Sequence, residues 1–266
     1  MTMKSNITET NKSSMKDRLI VALDMESPEG ALALVRALKK SVSMFKVGSQ
    51  LFTKAGPDIV RKIHGLGGRV FLDLKYHDIP STVAKSGIEA ARLGVFMFNV
   101  HVSGGGTMMK QCMQMVSESC GREGITRPVI IGVTVLTSIC EETLRDDIGI
   151  SRTIPEQVVH LAMLAKQDGL DGVVASAQEI RGIRDACGQD FLIVTPGIRP
   201  SGSAADDQSR IASPAWAMEQ GADYLVVGRP ITGSPDPLKA VQEILEEMEG
   251  AGKNEGFQGP RGQEAK

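Results

Sequence analysis

Short apolar runs alternate with amphipathic stretches from Arg18 to Met248. Eight of the runs read as strands, over 19–25, 44–48, 70–76, 96–102, 129–136, 172–175, 191–195 and 224–228. The stretches between them carry apolar residues at helical spacing. After Ser27-Pro28-Glu29, a capping serine with proline in the first turn, Leu32, Val35 and Leu38 recur on one face. Similar patterns cover 57–64, 81–93, 107–119, 155–167, 177–186, 214–220 and 237–249. Gly94, Gly121, Gly169, Gly188 and Gly221 stand where helix C-termini are expected. Eight strand-then-helix units predict an α/β fold, a closed (β/α)8 TIM barrel in a single domain over 17–249. The alternative, an open doubly wound sheet, usually carries a GxGxxG or GxxxxGK[ST] phosphate loop, and the sequence has neither. The polar segments 1–16 and 250–266 read as disordered tails.

Side chains alternate faces along a strand. In the third strand Val70, Leu72, Leu74 and Tyr76 point one way, and Phe71, Asp73 and Lys75 the other, with Asp78 in the turn that follows. A buried strand keeps two charges only if they pair or work. Taken alone, the segment fits a structural ion pair, with Asp78 as a helix cap, as well as it fits a catalytic site. The other strands change that balance. Asp24 shares a face with Ile20 and Ala22, and Lys46 points opposite to Phe45 and Val47. Active sites of such barrels lie at the C-terminal strand ends. Asp24, Lys46, Asp73 and Lys75 therefore converge on one mouth. Asn99 and His101 alternate with Phe98, Val100 and Val102 in the fourth strand, so His101 faces the mouth, and the fifth strand ends in Thr137-Ser138.

The last two strands suggest a second task. Strand seven leads into Thr195-Pro196-Gly197-Ile198-Arg199-Pro200 and on to Gln208, a long polar loop suited to a lid. Strand eight leads into Gly228-Arg229-Pro230. Loops after strands seven and eight are the usual phosphate site of these barrels. Gly228 lets backbone approach, Arg229 offers a charged fork, and Gln208 can close down from the lid. Gly104-Gly105-Gly106 reads as a turn into the next helix. Met108, Met109, Cys112, Met115 and Val116 read as core. His64 and His160 lie on helices and read as structural.

Composition removes other classes of function. A net charge of −2 over 266 residues, with no basic run, argues against a nucleic-acid partner. No apolar run reaches the ~18 residues of a membrane span, and the N-terminus lacks the apolar core of a signal peptide. Cys112, Cys120, Cys140 and Cys187 form no CxxC and have no histidine at zinc-ligand spacing. They read as free, buried thiols of a cytoplasmic protein, with no metal site and no cofactor expected.

These motifs are similar to those of one family. Asp73-x-Lys75-x-x-Asp78-Ile79-Pro80, preceded by Asp24 and Lys46 and followed by Thr137-Ser138, Thr195 to Pro200, Asp207-Gln208 and Gly228-Arg229-Pro230, resembles orotidine 5′-phosphate decarboxylase. Val133 to Ser138 and Asp171 to Glu179 look like its bacterial branch, and Ser81, where some bacterial relatives carry asparagine, is a minor departure. The resemblance runs from about Arg18 to Leu245. It implies conversion of orotidine 5′-phosphate to uridine 5′-phosphate and CO2, the last step of pyrimidine nucleotide (UMP) synthesis. Lys75 would be the proton donor and Asp73 would lie against the substrate carboxylate. Lys46 and Asp78 would complete an alternating charge array, with Asp78 given to the neighbouring subunit of a homodimer with shared sites. Asp24 and Thr82 would hold the ribose. Thr137 and Ser138 would meet the pyrimidine edge, with Ile79 and Pro196 also touching substrate. Gln208, Gly228 and Arg229 would grip the phosphate, with Arg199 in or near the lid.

Two rivals remain at this stage. A related sugar-phosphate lyase on the same barrel would use Mg2+ and would be expected to show a further carboxylate near Asp73, where the second strand offers Lys46 instead. A non-catalytic nucleotide-binding barrel would have no need of four charges at the mouth.

Overall fold

The computed structural model describes residues 14–200 and 212–251. Eight parallel strands close in sequence order into a barrel. They are β1 (Leu19–Ala22), β2 (Met44–Gly48), β3 (Arg69–Tyr76), β4 (Met97–His101), β5 (Val129–Val133), β6 (Gly172–Val174), β7 (Leu192–Thr195) and β8 (Tyr224–Val227). Each expected strand is present, several of them trimmed at one end or both.

The alternation of side chains divides the core into two parts. Ile20, Ala22, Met44, Phe71, Met97, Ile131, Val194 and Val226 fill the barrel interior. Leu19, Val21, Phe45, Val47, Val70, Leu72, Phe98 and Val100 belong to the outer core, packed under the helices. Both faces of the sheet are thus buried, as a parallel sheet requires. The interior core stops below the C-terminal strand ends. Above it, Asp24, Lys46 and Asp73 make the β1–β3 side polar, whereas Val133, Val135 and Val174 keep the β5–β6 side apolar.

Some helices begin at side-chain caps. Ser27 accepts the N–H of Gly30 at the start of Pro28–Leu38, and Thr153 with Glu156 forms a reciprocal capping box at Ile154–Gln167. Three details differ from expectation. Gly121 lies inside the helix Gly106–Glu123, which ends at left-handed Gly124 (φ 66°). A short helix, Ser49–Ala55, follows β2; it buries only Leu51, too little to produce an amphipathic pattern. A π-helical turn, Thr143–Asp147, follows β5 and buries only Leu144.

All four cysteines are free. Cys112, Cys120 and Cys187 are buried, but Cys140 is exposed, which corrects the expectation of four buried thiols. Met15–Arg18 forms a helical turn leading into β1. No helix among the described residues is long and apolar enough to cross a membrane.

Candidate active site

A cavity of about 500 Å3 opens at the C-terminal ends of the strands. That volume suits a mononucleotide-sized ligand. Its floor is Ala22, Phe71 and Val226, the top of the barrel core. Asp24, Lys46, Asp73 and Lys75 stand on one side. Arg199, Gly228 and Arg229 line it too, with Thr137, Ser138 and Pro196.

Strand register explains how the charges meet. Gly48 pairs with Asp73, and Lys46 pairs one layer lower with Phe71. Lys46 therefore reaches upward, and its Nζ lies 2.8 Å from Asp24 Oδ1 and 3.3 Å from Asp73 Oδ2. Gly48 makes room for this: a Cβ there would sit 3.1 Å from Asp24 Oδ1 and 3.2 Å from Lys46 Nζ. On the other side, Lys75 Nζ is 2.7 Å from Asp73 Oδ1. The result is an alternating row, Asp24–Lys46–Asp73–Lys75.

Asp73 is 8% exposed, so its charge needs compensation. Burial alone would push its pKa up. The charges of Lys46 and Lys75, with hydrogen bonds from Lys75 and Asn99, outweigh burial and hold it below the ordinary 3.8. A carboxylate with a depressed folded pKa stabilises the fold fully above its unfolded value, and that contribution is lost as pH falls through the folded value. The groups facing Asp73 are Lys46 from β2, Lys75 from its own strand and Asn99 from β4, with Asp24 behind Lys46. We expect the stability difference between wild type and Asp73→Asn to be largest near neutral pH and to shrink below pH 3.8. Urea midpoints of both proteins across pH 3–7 check this; a difference independent of pH would contradict it.

The β3–β4 pairing is irregular at this point. Leu72 pairs with Phe98, but the next pair is Tyr76 with Val100. Three residues, Asp73 to Lys75, stand against the single Asn99. Lys75 takes φ 51° in this bulge, the one non-glycine positive φ among the described residues. A left-handed lysine costs about 1 kcal/mol or more. Asn99, 1% exposed, accepts the Lys75 N–H at 2.8 Å and donates to Asp73 Oδ1 at 2.7 Å. The sequence places Asn99 on the inward face without giving it a task. The available signal is a buried amide one strand away from two charges.

Other expected site residues lie elsewhere. Asp78, Ile79 and Thr82 are exposed and do not line the cavity of their own chain. Asp78 Oδ1 accepts the N–H of Ile79 at 2.6 Å, and Ile79 itself is 64% exposed. His101 lies outside the cavity lining, with its ring 5.3 Å from that of His77. Burial, then the charges of His77 and Lys75, lower its pKa. Gln208 and most of the expected lid fall outside the described residues.

A model of the orotidine 5′-phosphate decarboxylase / HUMPS family matches residues 17–244. The chain belongs to that family. Among its relatives, orotidine 5′-phosphate decarboxylase of Syntrophotalea carbinolica is 55% identical over 236 residues, covering 89% of this chain and 96% of that one. The orotidine 5′-phosphate decarboxylase of Moorella thermoacetica is 52% identical over 234 residues, covering 88% and 93%. A crystal structure of orotidine 5′-phosphate decarboxylase from Lactobacillus acidophilus superposes with a TM-score of 0.75 at 38% identity, over 87% of this chain and 99% of that one. The expected enzyme class, a carboxy-lyase, follows from membership of the orotidine 5′-phosphate decarboxylase family at this level of identity.

Proposed function

We propose that this protein decarboxylates orotidine 5′-phosphate to uridine 5′-phosphate without a cofactor, as a cytoplasmic homodimer with shared sites. The observation that carries this reading is the buried carboxylate of Asp73, held between two ammonium groups on one side of a nucleotide-sized cavity.

The C6–carboxylate bond breaks, CO2 leaves, and the electron pair stays on C6. That pair lies in the ring plane and has no conjugated sink. Lys75 supplies the positive charge beside it, then transfers a proton from Nζ to C6 and recovers one from water. A negative charge forming about 3 Å from an ammonium gains roughly 5 kcal/mol at an effective dielectric near 20, about four decades of rate. Lys46 and Asn99 keep Asp73 fixed, and Asp73 in turn holds Lys75 over the reacting carbon. Lys46 also argues against the metal-dependent rival. Its ammonium occupies the space between Asp24 and Asp73 that a divalent cation bound by both carboxylates would take.

The remaining contacts follow from position. Asp24 is half-exposed at the rim and suits a ribose hydroxyl; Thr137 and Ser138 suit the polar edge of the pyrimidine. Arg229 and Arg199 form the cationic part of the wall and, with the backbone at Gly228, suit the phosphate; the family resemblance adds Gln208, which lies outside the described residues. Pro196 lines the same wall. Asp78, Ile79 and Thr82 would reach the neighbouring subunit's substrate, which accounts for an exposed isoleucine in a motif that otherwise serves the cavity.

Arg229→Ala is expected to weaken binding of uridine 5′-phosphate by about 2–4 kcal/mol, the loss of a charge-assisted phosphate contact. Calorimetric titration checks this, and unchanged affinity would contradict the phosphate assignment. Conversion of orotidine 5′-phosphate by the purified protein, followed by ultraviolet absorbance, tests the proposed reaction itself.

A further inference from the structure

We propose that Asn99 is a positioning residue that sets the geometry of both Asp73 and Lys75 by bridging the bulge in β3. The inference rests on the decarboxylase reading above for its kinetic consequences, but its structural part stands alone.

Regular pairing would leave the backbone of β3 bonded to β4 along its whole length. Here register is lost between Leu72 and Tyr76, and the N–H of Lys75 has no carbonyl across the ladder to meet. The Asn99 side chain takes over, with Oδ1 accepting that N–H at 2.8 Å. The same amide donates from Nδ2 to Asp73 Oδ1 at 2.7 Å. Only one orientation of the amide satisfies both partners, because the flipped group would point oxygen at carboxylate and NH2 at N–H. One buried, rigid group thus ties the backbone of the proton donor to the side chain of its neighbouring carboxylate. Lys75 φ 51° places its Cα in a left-handed turn that lysine does not favour. The hydrogen bond at its own N–H is what opposes relaxation of that turn. Asp73 Oδ1 accepts from both Nδ2 of Asn99 and Nζ of Lys75, so Asn99 also limits where the ammonium can sit.

Two substitutions separate the two bonds. Asn99→Ala removes both. Asn99→Asp keeps an acceptor for the Lys75 N–H but sets a second carboxylate against Asp73. The charged and titratable groups around position 99 are Asp73 and Lys75 from β3 and Lys46 from β2 through Asp73, with His101, whose ring lies beside that of His77, acting on both Lys75 and Asp73. Two adjacent carboxylates share a proton, so the pair titrates higher than Asp73 alone.

Turnover, its pH profile and exchange of the Lys75 amide hydrogen are measured on wild type and both variants. In Asn99→Ala, kcat is expected to fall about 100-fold or more, with KM within about threefold because the phosphate contacts are remote. Protection of the Lys75 amide is expected to drop at least about tenfold. In Asn99→Asp, that protection is retained, kcat falls, and the acid limb of the kcat profile moves up by about one pH unit or more. If Asn99→Ala does not fold, the near-isosteric Asn99→Asp carries the test through its pH profile. Equal amide protection in wild type and Asn99→Ala, or an Asn99→Asp enzyme with wild-type kcat and an unmoved acid limb, overturns the proposal. Wild-type turnover in the same assay is required by the functional reading, whereas amide protection is independent of substrate, so failure of one is distinguishable from failure of the other.

Discussion

Lys75→Ala is expected to lower kcat by about 10,000-fold or more while leaving the affinity for uridine 5′-phosphate within a few-fold of wild type. The magnitude follows from the proposed placement of the Lys75 charge beside C6, roughly 5 kcal/mol at an effective dielectric near 20. General-acid assistance in the protonation that follows adds to it. The fold should tolerate the change. Asp73 keeps Lys46 at 3.3 Å and the Asn99 amide at 2.7 Å, so its buried charge is not abandoned. Lys75 is also 36% exposed, and its truncation opens little closed volume. The proposed phosphate contacts come from other loops that line the cavity, those carrying Arg199, Gly228 and Arg229. Single-turnover measurements with a parallel binding titration check both halves. Turnover near the wild-type rate would remove Lys75 from the role of proton donor, and an equal loss of binding and rate would make it a binding residue only.

The second large effect is a recovery. Asp78→Ala and Lys75→Ala proteins should each be nearly inactive alone, and mixing them should restore activity. Asp78 is exposed and outside the cavity of its own chain, yet it stands three residues beyond Lys75 in the same charged segment. If it completes the neighbouring site, a mixed dimer holds one intact site and one site lacking both groups. Random exchange of equal amounts then leaves about one quarter of all sites intact. Recovery of about that fraction after partial unfolding and reassembly is the expected result. A mixture no more active than the average of its parts would place Asp78 outside the chemistry, or the site within a single subunit.

Much of this arrangement is legible in the sequence because period-two alternation is a strong local signal. Phe71, Asp73 and Lys75 could face only one side of β3, and with Asp24 and Lys46 they had to meet at one end of a closed barrel. The apolar stripe over Met108, Met109, Cys112, Met115 and Val116 is equally plain, and all but Met115, which is half-buried, are buried. The bulge in β3 and the contacts of Asn99 escape that alternation because they depend on pairing between strands. The bulge at Asp73 to Lys75 cannot be seen in β3 alone, since lysine is no marker of positive φ in the way glycine is. Asn99 acquires its task only when one residue of β4 must answer three of β3. Ser49–Ala55 is a helix with one buried residue, so periodicity had nothing to report. Gly121 looked like a terminator because glycine usually is one, yet the helix runs three residues further before left-handed Gly124 stops it. Asp78, Ile79 and Thr82 owe their expected roles to family resemblance, and they stand outside the cavity of their own chain.

The most direct test of the account is to add the purified protein to orotidine 5′-phosphate in excess EDTA and follow the ultraviolet absorbance. The account predicts rapid conversion to uridine 5′-phosphate, unaffected by the chelator, because Lys46 and Lys75 supply the positive charge that the reaction needs. Absence of conversion, with activity on a sugar phosphate appearing only when Mg2+ is added, would contradict it and recast Asp73 as a metal ligand.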